Sequence, residues 1–175
     1  MTRAVCMDDA PAICEIYNHY ILESPATFEE APLAPDEMRH RILEVTEAHP
    51  WFVYEQDDRL LGYAYSRKWR ERAAYRYSVE AGVYLDPSAT GKGIGSALFQ
   101  ALLAELCARQ FHCVIGGVAL PNEASVALLN KFGFRQVAHF KETGYKFGRW
   151  LDIVMMQRAI GGGGQTLPTI DPAAG

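Results

Sequence analysis

The sequence has no apolar run long enough to cross a bilayer, because charges or glycine interrupt every candidate. Its first residues, MTRAVCMDD, lack the apolar core of a signal peptide, so a cytoplasmic location is the expectation. Cysteine is sparse. Cys6, Cys14, Cys107 and Cys113 stand far apart with no CxxC pair, which reads as free thiols rather than a disulfide frame. Positive charge is not in excess: the net charge is -4, against a protein built to coat nucleic acid. The five histidines form no metal-ligand spacing, and no metal is expected. No internal repeat is evident.

What remains is an ordinary single-domain composition: 175 residues, 49% hydrophobic and 22% charged. Thr2–Cys6 leans to strand. Asp8 or Asp9 can cap a helix with Pro11 in its first turn, and Ile13, Ile16, Tyr17, Tyr20 and Ile21 give it one apolar face. Residues 26–35 read as a loop whose Thr27 and Phe28 can line a site, and a polar second helix follows from Asp36 to about His49. Strands are expected over 51–55, 60–66 and 77–85, with a turn at Asp57-Asp58. A helix follows the glycines at 91–95. Then come a strand over 113–119, a helix capped by Asn122 and stopped at Gly133, and closing strands over 134–140 and 150–158. This order predicts an α/β or α+β domain with a mixed sheet over residues 1–160. The glycine-rich stretch 161–175 reads as a flexible tail.

The segment VYLDPSATGKGIGSALFQALL carries the first chemical signal. A strand ends near Leu85, and Gly91, Lys92, Gly93, Ile94, Gly95 and Ser96 lead into a helix. Bare amides at a helix start can grip phosphate oxygens, glycine lets them approach closely, and Lys92 adds charge at the mouth. The loop is not the NTPase phosphate loop, because Gly93 follows Lys92 and no glycine stands at the required upstream position. It is not the dinucleotide fingerprint either, since the glycines alternate. A plain helix-entry turn is the competing reading.

The loop resembles the acyl-CoA motif of the GNAT superfamily, with Thr90 where Gln or Arg is usual. VIGGVALPNEASVALLNKFGF resembles that family's second signature through Asn122, Ala124, Ser125, Gly133 and Phe134. A closer likeness, from IYNHYI through the last strand, is to the phosphinothricin and methionine sulfoximine acetyltransferases. It rests on Thr27-Phe28, Gly62-Tyr63-Ala64, Trp69-Arg70, Tyr75, Val79-Glu80, Val83-Tyr84 and the block Gly144 to Asp152.

The resemblance implies a mostly antiparallel central sheet flanked by helices, with a parallel strand–helix–strand cofactor unit. It implies acetyl-CoA as co-substrate and a homodimer with sites near the interface. The backbone of Val83, Tyr84 and Leu85 would pair with the pantetheine arm. Gly91 to Ser96 would hold the pyrophosphate, and Asn122 would bind further along. Glu80 falls on the branch's catalytic base, a group the chemistry requires because an ammonium must lose a proton before it attacks a thioester. Without the resemblance Glu80 reads as a solvent-facing strand carboxylate. Backbone donors near Leu85 would steady the oxyanion. The usual Tyr or His proton donor is replaced by Leu129, so no general acid is named.

Arg70, Arg72 and Arg76 stand beside Trp69 and Tyr75, either as a solvated turn or as an anion clamp for an acidic substrate head. Phe28, Tyr75 and Lys146 complete the expected substrate site. The expected reaction acetylates the amine of a small amino-acid analogue of the phosphinothricin, methionine sulfoximine or arsinothricin type. A protein or peptide N-acetyltransferase and a non-catalytic acyl-CoA-binding domain remain open.

Overall fold

A computed structural model describes residues 1–161. The chain runs β1 (Thr2–Ala4), α1 (Ala10–Glu23), α2 (Pro35–Thr46), β2 (Trp51–Gln56), β3 (Arg59–Lys68) and β4 (Ser78–Leu85). It continues through α3 (Ile94–Ala108), β5 (Cys113–Ala119), α4 (Glu123–Lys131), β6 (Arg135–Lys146) and β7 (Arg149–Ala159). The strands form one sheet in the order β1-β2-β3-β4-β5-β7-β6. β4 and β5 run parallel, joined through α3, and the other neighbours are antiparallel. The expected mixed sheet is therefore present. Beyond Gly161, the tail expected over 161–175 lies outside the described residues.

Strand alternation divides the interior into two layers. One face packs α3 through Leu98, Phe99, Leu102 and Leu106, and α4 through Leu129, against Val79, Val114 and Val118. The other packs α1 and α2 through Ile13, Tyr17, Ile21, Met38 and Ile42 against Val53 and Tyr63. On this second face Tyr63 stacks on Trp51 and Tyr84, with ring centroids 5.5 and 5.4 Å apart. Such pairs add about 0.5–1.5 kcal/mol beyond the area they bury.

The turn at Asp57-Asp58 has both residues at positive φ, 52° and 56°, as a two-residue hairpin turn of type I′ requires. Several boundaries differ from the sequence reading. α2 ends at Thr46 rather than near His49, because His49 precedes Pro50 and the ring of a proline disfavours helical backbone before it. Asp9 stands at the start of α1 without capping it. Its carboxylate instead accepts the Cys6 N–H at 2.8 Å and pairs with Arg3 at 2.7 Å. β3 runs on through the exposed Arg67 and Lys68, which pair with Glu80 and Val79. β6 runs to Lys146, well past Phe140. A bulge between Phe140 and Gly144 breaks its period-two pattern, and Phe147-Gly148 turn it tightly into β7.

Candidate active site

β4 and β5 pair over three residues only, from Ser78–Cys113 to Glu80–Ile115, and then part. The Asp86 N–H bonds the Leu61 carbonyl at 2.9 Å, which makes Gly62–Leu85 a non-hydrogen-bonded pair of the antiparallel ladder. Residues of the same parity, Ala81, Val83 and Leu85, therefore turn their N–H and C=O groups toward the gap. At Leu85 the Tyr20 hydroxyl already occupies both, donating to the carbonyl at 2.8 Å and accepting the N–H at 3.4 Å. That leaves Val83 as the open rung of the ladder. An extended amide-bearing chain laid in the gap would find a strand edge ready to pair.

A cavity of about 710 Å³ fills this gap and continues to the glycine loop. Its wall includes Val83, Tyr84, Leu85, Gly91, Gly93, Gly95, Ser96 and Asn122. Gly91 and Gly93 sit at φ 74° and 81°, and Gly93 is the left-handed N-cap of α3. The early N–H groups of α3 have no helical partner and face the same mouth. Asn122 spends its carboxamide oxygen on the Ser125 N–H at 3.1 Å, leaving its NH2 as a donor. Ile94 is buried in the core and outside the wall, and Lys92 is exposed and outside it too. Lys131 stands in its stead. It lines the cavity and its ammonium donates to the Ser96 hydroxyl at 2.9 Å. Leu129 is 7% exposed and seated on Gly116, where a Cβ would lie 2.9 Å from its methyl.

A second cavity, about 510 Å³, opens on the α1 face. It shares Ala26, Ala81, Gly82, Tyr84, Gly117 and Ala119 with the first, so the two meet where the strands part. Its wall also includes Glu80, Arg67, Glu29, Tyr17, Tyr65 and Phe28. Glu80 and Arg67 form an ion pair at 2.9 Å. Burial alone would raise the Glu29 carboxyl, but hydrogen bonds from Arg41 and Tyr17 hold it below the ordinary range. Burial pushes the Tyr17 phenol up to about 12 and raises Tyr20, Tyr65 and Tyr84 as well. These hydroxyls are neutral at pH 7, with Tyr17 already donating to Glu29 and Tyr20 to the Leu85 carbonyl. Phe28 lies against Gly144, where a Cβ would meet its ring. Among the described residues no group of three His, Cys, Asp or Glu side chains comes together to hold a metal ion.

The structure gathers the cofactor candidates other than Lys92 and Ile94 along the first cavity, and Glu80 and Phe28 along the second. Lys146 it does not. It is 2% exposed, lines neither cavity and donates to the carbonyls of Ser24 and Thr27 at 2.8 Å, with Tyr20 at 3.4 Å. The expected anion contact is instead a tie between the β6 end and the loop after α1. Arg70, Arg72 and Tyr75 are exposed on the loop before β4 and line neither cavity, Arg70 lying 5.1 Å over the Trp69 ring. Sequence reasoning missed Arg67, Glu29, Tyr17, Tyr20 and Lys131. The helical spacing of Tyr17 and Tyr20 marked them as core, and only the sheet register shows Arg67 opposite Glu80.

This arrangement can accept an extended, phosphate-ended ligand from one face of the sheet and a small polar molecule from the other. The family model for the acetyltransferase (GNAT) domain matches residues 2–155. The chain is 43% identical over 168 residues to the phosphinothricin N-acetyltransferase of Alcaligenes faecalis, covering 95% of this chain and 85% of that one. It is 36% identical over 151 residues to the L-methionine sulfoximine/L-methionine sulfone acetyltransferase of Salmonella typhimurium, covering 85% and 88%. Among solved structures, the GNAT superfamily phosphinothricin acetyltransferase from Sinorhizobium meliloti, in complex with AcCoA, superimposes with a TM-score of 0.94. It is 38% identical, with 99% of this chain and 96% of that one covered. The chain belongs to the GNAT family of acetyltransferases.

Proposed function

We propose that this protein transfers the acetyl group of acetyl-CoA to the primary amine of a small amino-acid analogue of the phosphinothricin, methionine sulfoximine or arsinothricin type, by direct attack in a ternary complex. The observation that carries the reading is the meeting of two cavities at Gly82 and Gly117 with Glu80 in the wall of the second. The relatives named for phosphinothricin and methionine sulfoximine support the substrate class. We assign one catalytic domain to residues 1–160.

The fit to acetyl-CoA rests on the chain's own groups. Val83 offers an unpaired strand edge to the pantetheine amides, the amides from Gly91 to Ser96 suit a pyrophosphate, and Asn122 and Lys131 add side-chain donors. Acetyl-CoA supplies the activated acetyl thioester. Glu80 takes the proton from the attacking amine, directly or through water. For the acidic head of the substrate we retain Arg70, Arg72 and Tyr75. Neither arginine has an ion-pair partner among the described residues, whereas Arg67 is committed to Glu80. Alanine variants at 70 and 72 should raise the KM for the amine and leave that for acetyl-CoA unchanged.

The homodimer reading is supported by the exposed aromatic group Tyr145, Phe147 and Trp150 on the β6–β7 hairpin. Gly144 of that hairpin touches Phe28 of the second cavity, so an interface there would adjoin the site. We assign the reaction to the cytoplasm, where acetyl-CoA is at hand and the free thiols stay reduced.

The deciding experiment follows thiol release from acetyl-CoA with the three analogues side by side, together with calorimetric CoA binding. Turnover on at least one, with peptides failing to compete, is the expected result. Binding without turnover would favour the non-catalytic reading, for which the buried Leu129 at the usual proton-donor position is the one supporting observation. Absence of both would end the acetyltransferase reading.

A further inference from the structure

Two carboxylates line the second cavity, and they are held differently. Glu29 has both oxygens occupied: Oε1 accepts from the Tyr17 hydroxyl and Arg41 Nη1, and Oε2 accepts from Arg41 Nη2. Glu80 accepts on one oxygen only. Arg67 Nε donates to Oε2 at 3.0 Å and Arg67 Nη2 lies 2.9 Å from the same atom. Among the described residues, Glu80 Oε1 receives no hydrogen bond. It points across the gap, 3.7 Å from where a Cβ on Gly117 would stand. Gly117 lines both cavities, so this free oxygen faces the joint between them.

We propose that Arg67 is a positioning residue for Glu80: by holding Oε2 it fixes the carboxylate in one orientation and leaves Oε1 as the atom that accepts the amine proton. The inference rests on the reading of Glu80 as the base. Arg67 and Glu80 are direct cross-strand partners on β3 and β4, so the rigid sheet sets their separation. A free glutamate samples several rotamers, and only those that direct an oxygen at the joint are useful. The planar guanidinium removes that freedom from one side, and its hydrogen bond and close ion pair fall on a single oxygen and leave the other unspent. The absence of a Cβ at 117 keeps the path from Oε1 to the joint clear. The competing account is a cross-strand pair that holds two strands together and does nothing for the rate.

The test is a double-mutant cycle with Arg67→Met, Glu80→Gln and the double variant, both substrates being varied and CoA binding measured by calorimetry. Glu80→Gln alone reports on the base and is expected to lower kcat by about a hundredfold or more with CoA affinity intact. Arg67→Met is expected to lower kcat by about tenfold to a hundredfold, with the acetyl-CoA KM unchanged. On the Glu80→Gln background the same change should have almost no further effect on kcat. Arg67→Lys keeps a cation without the planar fork and should fall between wild type and Met, and it carries the measurement should the Met variant not fold. Wild-type kcat in both Arg67 variants, with or without a lowered melting temperature, overturns the proposal. So does a raised amine KM at unchanged kcat, or a loss that multiplies with that of Glu80→Gln, since either makes Arg67 a substrate contact. A near-wild-type Glu80→Gln removes the base itself and this inference with it, an outcome separable from failure at Arg67 alone.

Discussion

Lys146 shows how far a residue's type can mislead about its work. Burial pulls its pKa below the ordinary lysine value, although Glu30 opposes the shift. Its ammonium is committed to main-chain carbonyls on either side of Pro25, and Thr27 and Phe28 just beyond line the second cavity. Lys146→Met would fill the same space and leave those carbonyls without a donor. The expected loss is about 1–3 kcal/mol in chemical denaturation. Because the loop would loosen, the KM for the amine should rise as well. Unchanged stability would show that water replaces the ammonium without cost.

At the scale of elements, the glycine loop and the first helix junction each rest on one local device. A Cβ on Gly93 would meet no atom within 4 Å, so the only objection to a side chain is its φ of 81°. Gly93→Ala should therefore cost about 1–2 kcal/mol of local conformational energy. Relief by rotation would turn the amides away from their common focus. Calorimetry is expected to show acetyl-CoA binding weakened by about tenfold, with kcat at saturation close to wild type. Unaltered affinity would mean that the loop grips nothing.

The β1–α1 junction is electrostatic. Burial would raise the Asp9 carboxyl, but hydrogen bonds from Arg3 and the Cys6 N–H outweigh it and hold the pKa below the ordinary 3.8. A carboxyl depressed on folding stabilises the fold above its unfolded pKa and loses that contribution as pH falls through the folded value. Asp9→Asn should thus cost about 1–2 kcal/mol at pH 7. The difference from wild type should shrink progressively below about pH 4. A loss independent of pH would assign the residue's role to shape rather than charge.

For the whole molecule the feature with the widest consequence is the sheet edge. β6 ends the strand order, and the hairpin it forms with β7 exposes Tyr145 and Trp150 at 55% and 59%, their rings 5.1 Å apart. An edge strand carrying bare aromatics invites pairing with another surface. Sedimentation is expected to find a dimer for the wild type and a monomer for Trp150→Glu, with the monomer impaired for the amine because Phe28 rests on the same hairpin. A monomeric wild type, or a dimer that survives the substitution, would locate any interface elsewhere.

Periodicity, composition and punctuation in the sequence determined most of the elements, since each reports a local preference: the apolar face of α1, the aromatic, β-rich run of β2, the alternation of β4, the glycines before α3, the Asn122 cap and the stop at Gly133. The two signature segments, read together, also determined the family and hence the cofactor class. What escaped was whatever depends on contacts distant in the chain. β6 could not be followed past Phe140, because a bulge removes the alternation by which a strand is recognised. Arg67 and Lys146 are both basic residues near strand ends. Only the register of β3 against β4 sets Arg67 beside Glu80, and only the fold of β6 onto the loop after α1 buries Lys146 among carbonyls. A charged side chain declares its chemistry in the sequence, but its partner is chosen by strand pairing and burial, which tertiary structure alone decides.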